Sequence, residues 1–374
     1  MKVLYLYTEL LGYNLPIFEK LVNDYGATVD VIHWSQNKLT PFLPSAHTDS
    51  TKITFHDRSA FTAKEIVDFV TELSPDLVYV TGWMDRGYFP ALRKLKSMGI
   101  TIVAGLDSQW TGSVRQHIGA MLIRWVYKKL FYSYVWVPGP LQYEYARRIG
   151  FKKTEIICNL LSGNSALFCQ ASHALDNEKR TNYPQTFLYV GRFAESKGID
   201  ILIKAFDIYK EQYKGTWKLN CIGNGPMFDD LMRAAKRHDD MTVESFLPQP
   251  ELVNRAKAAG AFILPSRYEP WGVVAHEFAT AGLPLIFSEK VGARPQFLID
   301  QLNGYTFYDE SPEDLAYQMF LMSSHSIETL LHMGRMSAHL ASQITPEITT
   351  ASLMSVSAKK TRSSQHKCNN KSCT

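Results

Sequence analysis

Apolar residues along the chain come in short runs separated by stretches of helical period. "KVLYLY" (2–7), "TVDVIHW" (28–34), "DLVYVTG" (76–82) and "TIVAGL" (101–106) are rich in β-branched and aromatic residues and short enough for strands. Segments 15–25, 63–73 and 88–97 have the length and spacing of helices. The pattern then restarts. "TFLYVG" (186–191), "KLNCIG" (218–223), "TVESFL" (242–247), "AFILP" (261–265) and "PLIFS" (284–288) form a second strand series. Helical stretches are expected near 199–213, 227–237, 249–259, 273–281 and 312–322. Strands alternating with helices predict parallel sheets covered on both faces, here twice over.

The fold class expected is therefore α/β, with two doubly wound Rossmann-like domains facing a central cleft. Ligands belong outside the carboxyl ends of the strands in such domains. The stretch between the two series, 162–185, is polar and weakly periodic. The expected division is 1–168 for the N-terminal domain, 169–185 for a linker and 186–345 for the second domain. A C-terminal helix is expected over 346–358, then a basic, disordered tail over 359–374.

Composition narrows the functional classes. An apolar fraction of 45% and a charged fraction of 20% over 374 residues are those of a globular chain large enough for two cores. No apolar run is long enough to span a membrane. "MKVLYLYTE" reads as a first strand rather than a signal peptide, so a cytoplasmic location is expected. Five cysteines, with no C-x-x-C pair, fit reduced thiols better than a zinc site. The net charge of +4 is unevenly spread: +4 over 1–168, −5 over 169–358 and +5 over 359–374. No basic nucleic-acid footprint covers the second domain, and nucleic acid is not an expected partner.

The candidate chemistry lies where strands end. After "TFLYV", Gly191 permits a sharp exit, and Arg192 and Lys197 place two cations in the loop before a helix. Such a loop suits an anion, although two solvated surface cations would look the same. In "CIGNGP", Gly223 and Gly225 allow close backbone approach, or simply make a turn. In "SRYEPWGVVAHEFATAGLP" (266–284), Glu269 precedes a helix expected from Val273, and Glu277 lies roughly 6–8 Å along it at 1.5 Å per residue. The small entry at Gly272 leaves free N–H groups, a seat for a phosphate flanked by two carboxylates. The alternative is a solvated loop glutamate and a helix-surface glutamate.

Together, the Glu-x7-Glu stretch, "GRFAESKG", "IGNGP" and "GARPQFLIDQLNGYTF" occur in the order found in retaining glycosyltransferases of family 4, also called group 1, which have the GT-B fold. The chain resembles that family specifically over 186–320 and only in architecture over 1–160. The resemblance implies a nucleotide-sugar donor of UDP or GDP type, a hydroxyl acceptor (a glycan or lipid-linked glycan) and no required metal. Glu277 would bind the ribose hydroxyls and Glu269 those of the transferred sugar. Arg192 and Lys197 would hold the diphosphate, with backbone N–H groups of Gly272, Val273 and Val274; Gly12, Gly191, Gly223 and Gly225 would shape the donor site. Two departures stand out: "TELLGYN" offers only Gly12 where the family often has Gly-Gly, and Gln296 stands where a glutamate is common.

On the acceptor side, "AGLDSQWTG" puts Asp107 at a strand end, where it would orient the attacking hydroxyl or brace its own loop. The run 121–153 interleaves aromatics with cations, which suits peripheral membrane contact; a core helix with edge cations is the alternative. The expected function is sugar transfer with retention in polysaccharide or glycolipid assembly. A GT-B-shaped sugar-nucleotide epimerase and a non-catalytic sugar-nucleotide-binding module are its rivals.

Overall fold

The computed structural model describes residues 1–35, 48 and 50–369. The chain forms two compact units, Met1–Ser162 together with the chain from Pro346 on, and Gly163–Thr345.

The first unit holds strands Lys2–Leu6 (β1), Thr28–His33 (β2), Ile53–Asp57 (β3), Leu77–Val80 (β4), Thr101–Gly105 (β5), Tyr134–Trp136 (β6) and Ile156–Ile157 (β7). They form one sheet in the order β3-β2-β1-β4-β5-β6-β7, with every pairing parallel. The central strands read as unbroken apolar runs because both faces are covered; all four residues of β4 are buried. Helices Leu15–Tyr25, Ala63–Leu73 and Phe89–Ser97 are crossovers. Ala63–Leu73 starts at a reciprocal cap in which Thr62 accepts from the Glu65 N–H and Glu65 accepts from the Thr62 N–H.

The second unit holds Thr186–Val190 (β8), Lys218–Ile222 (β9), Met241–Glu244 (β10), Ala261–Leu264 (β11), Leu285–Ser288 (β12) and Gly304–Phe307 (β13). Their order is β10-β9-β8-β11-β12-β13, again all parallel. An aromatic core joins sheet to helices: Phe262 stacks on Phe278 at 4.3 Å, and Phe187 meets Tyr209 edge-on at 5.5 Å.

Two stretches differ from expectation. Residues 169–185, expected as a linker, are largely taken up by the helix Ser165–Thr181. Its apolar stripe is thin, but Phe168 and Ala171 are fully buried and Phe168 meets Phe278 edge-on at 5.6 Å. The C-terminal helix runs over Pro346–Asn369, well past the expected end at 358, and packs on the first unit rather than standing apart. Leu353 and Val356 are buried, and Lys20 pairs with Glu347 at 2.9 Å across to the helix Leu15–Tyr25. Once such a helix is nucleated by packing, each added residue costs little, so a polar stretch can extend it. Residues 370–374 of the expected tail lie outside the described residues.

Candidate functional site

In a doubly wound sheet the crevice opens where the strand order reverses. In the second unit that point lies between β8 and β11, so the loops that leave these two strands diverge there. They carry Gly191, Arg192 and Lys197 on one side and Glu269 and Gly272 on the other.

The helix Val273–Thr280 begins at the second of these loops. Gly272 is its N-cap at φ +91°, no side chain caps it, and Val273 and Val274 are half-exposed. A Cβ at Gly272 would stand 2.9 Å from Glu269 Cγ in a backbone region that L side chains rarely adopt. The first N–H groups of this helix are thus presented bare.

Glu269 is buried beside that start. It accepts from Lys197 Nζ at 2.7 Å and from Ser266 Oγ at 3.3 Å, and its loop is fixed by a Gly292 N–H donated to its own carbonyl at 2.9 Å. Lys197, expected to face an anion together with Arg192, has Glu269 as its partner through one of its three N–H donors. Arg192 is exposed, and among the described residues no hydrogen bond or ion pair holds its guanidinium.

Glu277 is deeper. It accepts from Gln249 Nε2 at 2.7 Å and from the Asn164 N–H, and burial pushes its carboxyl up to about 8. No cation faces it among the described residues, so it is held as a neutral acid at pH 7 that two donors already address. A Cβ at Gly163 would come within 2.5 Å of Glu277 Cγ, so the chain at 163–164 lies directly on this carboxyl.

Gly223 and Gly225 serve the loop after β8 from behind. Each has a positive φ, and a Cβ there would strike Gly191 O at 1.9 Å or Phe193 O at 2.3 Å. The Phe193 N–H donates to Asn224 O at 2.9 Å and the Met227 N–H to Phe193 O at 3.0 Å. The glycines let one loop lie flat on the other and fix where Arg192 emerges.

His276 was not singled out in the sequence, where it passes for an ordinary helical residue. It is fully buried, stacks on Phe297 at 4.8 Å, accepts from the Gly163 N–H at 2.7 Å through Nδ1 and donates through Nε2 to Ala341 O at 3.0 Å. Burial holds it neutral, with its pKa lowered to about 4. It pins the 163–164 segment that covers Glu277. Gln249 and Ser266 were missed as well; they become visible only once β11 and the helix after β10 are brought together.

Gly12 and Asp107 lie in the other unit, at the carboxyl edge of its sheet. Gly12 opens the turn Gly12–Asn14 after β1, and Asp107 is exposed in the loop after β5. Between them Asn14 Nδ2 donates to Tyr7 Oη at 2.9 Å, and Tyr7 stacks on Tyr79 at 5.7 Å. Burial, helped by the charge on Asp107, pushes the Tyr7 hydroxyl up to about 12. Among the described residues no group of three or more His, Cys, Asp or Glu is placed to hold a metal ion. No helix among them is long and apolar enough to cross a membrane.

Residues 174–335 match the family model described as glycosyl transferases group 1. A glycogen synthase of Mycobacterium tuberculosis is 36% identical over 136 residues, covering 36% of this chain and 32% of the relative. An uncharacterized glycosyltransferase of Methanocaldococcus jannaschii is 30% identical over 171 residues, 45% of this chain and 42% of the relative. The chain thus spans less than half the length of either relative. Among solved structures, Anabaena HepE in complex with UDP superposes with a TM-score of 0.73 at 15% identity, over 97% of this chain and 100% of that one. The fold is GT-B.

Within this GT-B chain the stretch that matches the group 1 model encloses Arg192, Lys197, Glu269 and Glu277. Gly163 and Asn164, which lie on Glu277, precede it, and Gly12 and Asp107 belong to the first unit, which the match does not reach.

Proposed function

We propose that the chain is a retaining glycosyltransferase that moves a sugar from a UDP- or GDP-type donor to a hydroxyl of a glycan or lipid-linked glycan, in polysaccharide or glycolipid assembly, with no metal required. The observation that carries this reading is the uncapped start of the helix Val273–Thr280, with Glu269 locked by Lys197 on one side and Glu277 buried on the other. Support comes from the group 1 match over these residues and from the likeness to HepE, which was solved with UDP.

On this reading the diphosphate sits on the bare N–H groups of 272–274 with Arg192 beside it. Breakage of the sugar–phosphate bond leaves charge on the departing phosphate oxygen. Fixed N–H dipoles and a guanidinium stabilise that charge more in the transition state than before it. Glu277 takes the ribose hydroxyls, Glu269 takes the sugar hydroxyls in an orientation set by Lys197, and Asp107 orients the attacking hydroxyl.

The test is thermal melting with UDP, GDP, ADP, CMP and dTDP, followed by transfer from the matching labelled donor. Ligand at a hundred times its Kd adds about 2.7 kcal/mol of stability. A shift with one nucleotide, followed by acceptor-dependent product, is expected. Donor turnover without any acceptor product would point instead to an epimerase. The absence of a shift with every nucleotide and with every intact donor would refute the reading.

A further inference from the structure

Residues 114–130 form one helical stretch: Val114–Leu122, a wide turn over Ile123–Tyr127, then Lys128–Leu130. Its inward side is already used, since Ala120, Ile123 and the following Phe131 are buried in the core of the first unit. Its outward side is also apolar. Val114, Ile118, Met121 and Trp125 follow at steps of four, three and four, and are 77%, 59%, 58% and 61% exposed. Leu122 and Val126 widen the stripe. Scattered exposed apolar residues need no explanation, whereas a continuous stripe does.

Cations frame this stripe. The Arg124 guanidinium lies 5.4 Å from the Trp125 ring centre and Lys129 Nζ lies 5.8 Å from it. Arg115 is exposed on the same helix. Beside the helix is a cavity of about 740 Å³ lined by Lys96, Arg124, Lys128 and Lys129, with Glu155 the one acid in its lining. Lys128 pairs with Glu155 at 2.6 Å, and Lys96 is held by Tyr132 O and Ser133 Oγ, both at 2.9 Å. Among the described residues no ion pair ties Arg124 or Lys129. By contrast Arg147 and Arg148, which the sequence grouped with them, are engaged locally, on Phe151 O at 2.8 Å and over the Trp110 ring at 5.4 Å.

We propose that the outward face of 114–130 and the cation-lined cavity beside it form a docking surface for an anionic lipid bilayer. The apolar stripe enters the headgroup boundary, Trp125 sits at its level, and Arg124 and Lys129 meet lipid phosphates. Charge selects this occupant over a second copy of the chain. A twofold contact sets the same patch of both copies face to face, which would bring Arg115, Arg124 and Lys129 of one copy against the cationic patch of the other. The surface extends the expected 121–153 region toward Val114 and releases its C-terminal cations. It does not rest on the sugar-transfer reading.

The test uses the full chain without nucleotide and vesicles of phosphatidylglycerol with phosphatidylcholine, or of phosphatidylcholine alone. Sedimentation with the anionic vesicles is expected at about 0.1 M salt and should fade at about 1 M, as the screening length falls from about 10 to 3 Å. Arg124→Ala with Lys129→Ala should weaken binding about 25-fold, at roughly fivefold per cation near the surface. Trp125→Ala should weaken it too, with an unchanged melting temperature showing that the fold survives. The emission difference between wild type and Trp125→Phe should move to the blue on vesicle binding. Equal binding to both vesicle types would overturn the proposal. So would no binding at any salt, or a concentration-dependent dimer that Trp125→Ala abolishes in a chain that ignores vesicles.

Discussion

Glu277→Gln is the most informative single change, because it separates the cost of burying an acid from the use made of it. In the folded chain the carboxyl titrates at about 8 instead of the ordinary 4.5. Between these values the unfolded chain has released the proton and the folded chain has kept it. Stability is therefore fully present below 4.5 and is lost as pH rises through 8. At about 1.4 kcal/mol per pH unit the ceiling on this loss is about 5 kcal/mol. The amide of the Glu277→Gln variant keeps one carbonyl oxygen to accept from Gln249 and has no proton to lose. Urea unfolding of both proteins from pH 5 to 9 should show the wild type falling relative to the variant by several kcal/mol, and levelling off above 8. Nucleotide binding reads the other side of the same equilibrium. If ribose hydroxyls donate to Glu277, binding selects the ionised form, and affinity should rise about tenfold from pH 7 to 9 in the wild type only. A stability difference that does not change with pH would refute the account of the buried acid, and a pH-independent affinity would remove Glu277 from ribose binding.

Lys197→Ala should cost about 2–3 kcal/mol, below the 3–5 of a fully buried pair because Lys197 is partly exposed; adding Glu269→Gln should restore most of the melting temperature without restoring transfer. His276 is neutral in the fold with its pKa lowered to about 4, so it contributes stability above 6.5 that is lost as pH falls toward 4. His276→Phe should remove that acid-labile part, up to about 3 kcal/mol, and loosen the 163–164 cover, read as faster amide exchange at Gly163. Asp107→Asn should lower turnover while leaving the nucleotide-induced melting shift unchanged; full activity would exclude Asp107 from the reaction.

The strands that both faces bury were legible in the sequence, because "DLVYV", "AFIL" and "LIFS" can hardly be anything else. β7 has two residues, and β13, "GYTF", is half-polar and follows a turn, so neither announces itself. The helix Ser165–Thr181 was hidden because only a thin apolar line, including Phe168 and Ala171, runs through a mostly polar sequence. The positions of Arg192, Glu269 and Glu277 were legible as strand ends and a helix entry. Their partnerships were not. Lys197 and Glu269 stand 72 residues apart, and Gln249 reaches Glu277 only because β10 and β11 lie in one sheet. Local pattern places a residue on an element, but pairing between elements follows from the packing of the whole unit.

The return of the chain from Pro346 onto the first unit has a consequence for the order of assembly. The second unit is one uninterrupted length of chain, complete as soon as Thr345 is out. The first unit has its sheet early but lacks the helix that covers Leu15–Tyr25 until everything between has been made. At about 5–20 residues per second the nascent sheet waits on the order of 10–40 s for that cover. During this interval the seat of Leu353 and Val356 is open to whatever is nearby, a chaperone or another nascent chain. The half of the molecule that is made first is therefore the half that is finished last.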